Sequence, residues 1–125
     1  MNLVLLSVDH IAMLHDAILA PNELQGMAGD KSLEGAISRV ESRLAYGLID
    51  DIYSLASSYA TAISQAHCFN DGNKRTSFQV LSIVLDLNGV QIDWDVEEVG
   101  QKIIQLSQGL LDEQDFTAWL RQAAP

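Results

Sequence analysis

The chain has 125 residues, 48% of them apolar, and a formal charge of −10 from 17 acidic against seven basic side chains. That length suits one domain, residues 1–125, with enough apolar material to bury a core. The acidic excess argues against a surface that binds a nucleic-acid backbone or an anionic membrane, and the single cysteine, Cys68, excludes an internal disulfide and fits a reducing compartment.

Apolar periodicity predicts helices throughout. Ser7 caps a first helix running to about Leu19, with Val8, Ile11, Leu14 and Ile18 on one stripe and Pro21-Asn22 ending it. Within it, His15 and Asp16 read as a structural hydrogen-bond pair, and His10 as exposed. The opening Met1–Leu6 is too short for a signal sequence and lacks a basic flank, and no stretch reaches the roughly 18 apolar residues of a membrane span. A cytoplasmic protein is the expectation. Pro21 to Lys31 is the longest polar, glycine-containing interruption, an interhelix loop on composition alone.

Asp30 or Ser32 opens a second helix with Leu33, Ile37, Val40 and Leu44 on its inner face, stopped by Gly47. Asp50 and Asp51 open a third, carrying Ile52, Leu55, Tyr59 and Ile63 inward and ending at His67. The fourth begins near Asn73 and runs to Asn88-Gly89, a left-handed stop signal. It is apolar nearly all round, which predicts the central, buried helix of the fold. Val90-Gln91-Ile92 reads as a short extended piece. Two more helices follow over 95–108 and 112–123, the last opened by Asp112 and packing Phe116, Trp119 and Leu120 inward.

Between the third and fourth helices lies His67-Cys68-Phe69-Asn70-Asp71-Gly72-Asn73-Lys74-Arg75-Thr76. His67 can take a proton near neutral pH. Asp71 offers hard oxygens to Mg²⁺, which normally binds through one or two carboxylates plus substrate phosphates. Gly72 takes positive φ or lets the backbone approach a phosphate. Asn73 donates hydrogen bonds, Lys74 brings a compact charge and Arg75 a bidentate fork, all at a helix N-terminus that attracts anions. Phe69 anchors the loop and Cys68 packs. Each residue has a plain structural alternative: Asp-Gly-Asn is an ordinary turn before a helix, and Lys74-Arg75 an ordinary solvated face.

Those ten residues resemble the core motif of the Fic/Doc (Fido) family, His-x-Phe-x-(Asp/Glu)-(Gly/Ala)-Asn-(Gly/Lys)-Arg, which His67, Phe69, Asp71, Gly72, Asn73, Lys74 and Arg75 fill. Asn70, Lys74 and Thr76, with Leu14-His15-Asp16, Gly26-Met27, Leu33–Ile37 and Arg39 upstream, are most similar to the death-on-curing (Doc) toxin branch, over roughly residues 6 to 92. The resemblance implies an all-α, six-helix Fido-type bundle with a buried central helix and a flap loop, in which Gly26, Met27 and Ala28 align a target peptide. It implies His67 and Arg75 as catalytic, Asp71 as the metal ligand, and Gly72, Asn73, Lys74 and Arg75 around the phosphates, with ATP or another nucleoside triphosphate and Mg²⁺ as cofactors. The implied activity is transfer of a γ-phosphate to a Ser or Thr hydroxyl of a translation factor, elongation factor Tu. Adenylyltransferases of the family usually carry Gly at the position of Lys74 and a second Arg at that of Phe78, which disfavours adenylate transfer, the runner-up reading. A catalytically silent interaction module is the third. No Ser/Thr-x-x-x-Glu-(Gly/Asn) inhibitory helix occurs in the sequence, so the implied regulator is a separate antitoxin protein.

Overall fold

The computed structural model describes residues 3–19, 21–22, 33–67, 72–93 and 95–124. They form six helices and, among the described residues, no strand: α1 (Val8–Ile18), α2 (Leu33–Ala45), α3 (Ile52–Ala66), α4 (Asn73–Leu87), α5 (Val96–Ser107) and α6 (Glu113–Ala123). The expected all-α bundle is thus observed, and 90–92 runs on as plain coil with no strand pairing.

The helix ends follow local chemistry. Ser7 accepts a hydrogen bond from the His10 N–H at 3.2 Å. Of the two candidates before α3 it is Asp51 that caps, taking the Ser54 N–H at 2.9 Å while the Ser54 hydroxyl accepts from the Asp51 N–H at 3.1 Å, a reciprocal capping box. Asp112 accepts from the Asp115 N–H at 2.8 Å to open α6. At the far end of α4, Gly89 sits at φ +85°. Its N–H reaches the Asp86 carbonyl and the Val90 N–H the Leu85 carbonyl, a Schellman stop. The residues proposed to open α2, Asp30 and Ser32, lie outside the described residues.

The helix buried on all sides is α3 rather than α4. Every residue from Leu55 to Ser64 is buried, and α2, α4, α5 and α6 all pack on this helix. On α4 only Thr76, Ser77, Val80, Leu81, Val84 and Leu85 are buried, facing α3, α1 and α5. The reason is size. Between its large inward residues α3 carries Ala56, Ser57, Ser58, Ala60, Thr61, Ala62 and Ser64, whose short side chains let neighbouring helices approach from every side although they add little hydrophobicity. The Ser77 hydroxyl donates to the Ala60 carbonyl at 2.8 Å across this close seam.

The predicted stripes face the core, with Ile11, Leu33, Ile37, Val40, Leu55, Tyr59, Ile63, Phe116 and Leu120 all buried. Trp119 is only partly buried. Its ring stacks on Phe116 at 5.7 Å between centroids while its Nε1–H donates to Glu98 Oε1 at 2.9 Å, tying α6 to α5.

The segment before α1 is fastened by two side chains. Tyr59, buried on α3, accepts from the Leu6 N–H at 3.2 Å and donates to the Leu6 carbonyl at 3.1 Å. Asn88, at the end of α4, accepts from the Val4 N–H at 2.7 Å and donates to the Val4 carbonyl at 3.0 Å. The entry to α1 is fixed at one end of the molecule, and its C-terminal turn meets the start of α4 at the other.

Candidate active site

The sequence ends α3 at His67 and starts α4 at Asn73, and the structure keeps both boundaries. His67 is the C-cap of α3 at φ +49°, ψ +40°, exposed to solvent. It is the one described non-glycine residue with positive φ, a conformation that costs most residues about 1–2 kcal/mol but which His tolerates better than most.

Gly72 is the N-cap of α4 at φ +81°. It brings no capping side chain, and its carbonyl accepts the first hydrogen bond of the helix, from the Thr76 N–H at 2.9 Å. A Cβ here would lie 3.2 Å from Leu19 Cδ2 and 3.4 Å from both Cδ2 and Nε2 of His15. The backbone angle favours glycine, and a Cβ would in addition press on the Leu19 methyl.

Asn73, Lys74 and Arg75 form the first turn of α4, Asn73 partly buried and both cations exposed. Arg75 Nη1–H donates to the carbonyl of Ile18, the last residue of α1, at 3.2 Å. A guanidinium presents its N–H donors in a fixed planar fork, and this bond helps to aim that fork along the first turn of α4. With backbone N–H groups and the positive end of the helix dipole beside them, the turn has the chemistry of a phosphate site.

Sequence reasoning brought His67, Gly72, Asn73, Lys74 and Arg75 to this end of the molecule, and the structure gathers them at the junction of α3 and α4. Asp71, the proposed metal ligand, lies outside the described residues, as do Cys68, Phe69, Asn70 and the flap residues Gly26, Met27 and Ala28. The pair of His15 and Asp16 is present, Nδ1 to Oδ1 at 3.1 Å, but its position was missed: the ring lies against Gly72. His10 is exposed, as expected.

Beside the two cations an apolar groove of about 320 Å³ runs between α4 and α5, with Phe78, Val96, Ile103 and Ile104 in its walls. Phe78 packs against the core there and presents no cation. A larger cleft, about 690 Å³, lies elsewhere, between α2 and α6. Ion pairs of Arg43 with Glu113 and of Arg121 with Asp51 cross it, the latter at 3.0 Å, and none of the motif residues lines it. It is a charged structural seam.

Comparison with known proteins agrees with this geometry. Residues 5–85 match the Fic/DOC family, a span that includes every motif residue described above. Over 118 residues the chain is 31% identical to Protein kinase doc of Escherichia phage P1, a similarity covering 94% of this chain and 93% of that one. With a family match over residues 5–85 and this likeness along nearly the whole chain, the chain belongs to the Fic/DOC family.

Proposed function

We propose that this chain is a Doc-like toxin of a toxin–antitoxin module: a cytoplasmic protein kinase that moves the γ-phosphate of ATP, or of another nucleoside triphosphate, to a Ser or Thr hydroxyl of a translation factor and so arrests growth. The observation that carries the reading is the similarity to Protein kinase doc along nearly the whole chain. Lys74 and Phe78 support it. A long cation stands where an adenylyltransferase has bare backbone, and an apolar ring packed toward α5 stands where it has a second arginine.

In this reading His67 takes the proton of the incoming hydroxyl. Its oxygen bonds to the γ-phosphorus as the bond from that phosphorus to the bridging oxygen breaks, and the nucleoside diphosphate leaves. Arg75, aimed by the Ile18 carbonyl, grips the transferred phosphate with its fork, while Asn73 and the N-terminal N–H groups of α4 hold the remaining oxygens. Asp71 would hold Mg²⁺ jointly with the substrate's phosphates. When bound, the ion neutralises charge on the phosphates. A separate antitoxin protein restrains the enzyme in trans.

Nucleotide labelled at the γ-phosphate, incubated with the protein, Mg²⁺ and a bacterial extract, tests the proposal. One protein of the translation apparatus should take up label, identifiable by mass spectrometry, and α-labelled nucleotide should leave it unmarked. Label from the α-phosphate alone would replace the kinase with an adenylyltransferase.

A further inference from the structure

His15 is fully buried, an uncommon place for an imidazole unless it is held by partners. One partner is Asp16 at 3.1 Å. With Nδ1 turned to that carboxylate, the opposite Nε2–Cδ2 edge is the one that lies 3.4 Å from where a Gly72 Cβ would be. Ile18 and Leu19 follow three and four residues later on the same face of α1. Ile18 receives the Arg75 guanidinium, and Leu19 closes in beside His15 on the same face of Gly72. The last turn of α1 thus touches the phosphate turn at its backbone and at its arginine.

We propose that His15 is a positioning residue, whose imidazole, oriented by Asp16, braces Gly72 and thereby fixes the first turn of α4 on which Lys74 and Arg75 stand. The proposal rests on the reading of that turn as the phosphate site. The hydrogen bond from Thr76 N–H to the Gly72 carbonyl reports the brace directly, because it is the first bond of the helix and needs Gly72 in place. An apolar brace of Leu19 alone would not keep the same register, since it contacts Gly72 with one methyl and carries no fixed orientation.

The test is amide hydrogen exchange on the isolated protein with His15→Ala and His15→Gln. In His15→Ala the Thr76 amide should exchange about tenfold faster or more while amides of α3 such as Ile63 keep their protection, the signature of local rather than global opening. The glutamine variant, which retains a polar group of similar reach, should recover most of the protection. Phosphate transfer, measured in parallel, should fall with the same ranking, mainly in kcat. Unchanged Thr76 protection in a folded His15→Ala protein overturns the proposal, and so does a uniform loss of protection through α1, α3 and α4, which would make His15 a core residue only. Should the alanine variant be too unstable to isolate, Thr76 exchange in the glutamine variant decides: recovery to near the wild-type rate supports the brace, and a uniform loss sinks it. Exchange needs no activity, so a wild-type protein that transfers no phosphate would sink the kinase reading and leave this result standing.

Discussion

His67 holds a backbone conformation that glycine would hold at less cost, so stability and chemistry can be separated at one position. His67→Gly should unfold in denaturant at a stability equal to wild type or up to about 1 kcal/mol above it, since αL caps favour glycine, while phosphate transfer disappears. A loss of more than about 1 kcal/mol would show that the ring is a packing element. A second residue tests a different term. The Ser57 hydroxyl is buried in α3 without a hydrogen-bond partner. Ser57→Ala should therefore be neutral or raise stability, by up to about 1 kcal/mol, because removing an unsatisfied polar group removes its desolvation cost. At this scale much of the candidate site could be proposed from sequence alone: His67, Gly72, Asn73, Lys74 and Arg75 stand close in sequence with recognisable chemistry. The contact of His15 and Ile18 with that loop was not, because it joins residues 57 apart, as for Ile18 and Arg75, and no local pattern encodes it.

Helix ends were readable for the same local reason. Ser7, Asp51, Gly89 and Asp112 act within a few residues of themselves, and the structure uses each as its type suggests. The ranking of helices by burial was not readable. The run of large apolar residues from Val80 to Leu85 pointed to α4, but the short side chains of α3 decide which helix the others can surround. Tyr59 shows what that central position does. Its hydroxyl serves both backbone groups of Leu6, so Tyr59→Phe strands a buried N–H and C=O together and should cost about 1–3 kcal/mol in chemical denaturation, with fraying detectable as faster exchange at the Leu6 amide. A variant as stable as wild type would mean that water replaces the phenol there.

For the molecule as a whole, pH acts at both extremes. Burial alone would raise the Asp51 carboxyl, but the hydrogen bond and charge of Arg121, with Ser54 bonds, outweigh it and hold the group below its ordinary value. The folded state then binds fewer protons than the unfolded chain, so this contribution is present above roughly pH 4 and is lost as pH falls through the lowered value. Burial raises Tyr59, helped by the charge of Glu41 and opposed by its bond to Leu6. Its contribution is intact below roughly pH 10 and lost as pH rises through the raised value. Melting temperatures recorded against pH should decline at both ends. In Arg121→Ala the acid decline should become shallower, because Asp51 loses the partner that lowers it and its folded and unfolded proton affinities converge, and in Tyr59→Phe the alkaline decline should lose one titrating step. Expressed alone, the proposed toxin should arrest bacterial growth reversibly, and harmless expression of the folded protein would favour a silent module. The fastening of Val4 and Leu6 has a further reach. Two alternate residues have their backbone groups satisfied by Asn88 and Tyr59 much as an adjoining strand would satisfy them, by an amide and a phenol from two different helices. That stitched segment leads into α1, whose opposite end carries His15 and Ile18. Cutting back the polypeptide to Ser7, or hanging a bulky fusion immediately before Leu3, would loosen the lever at its fulcrum and register as weakened catalysis some 15 residues further along.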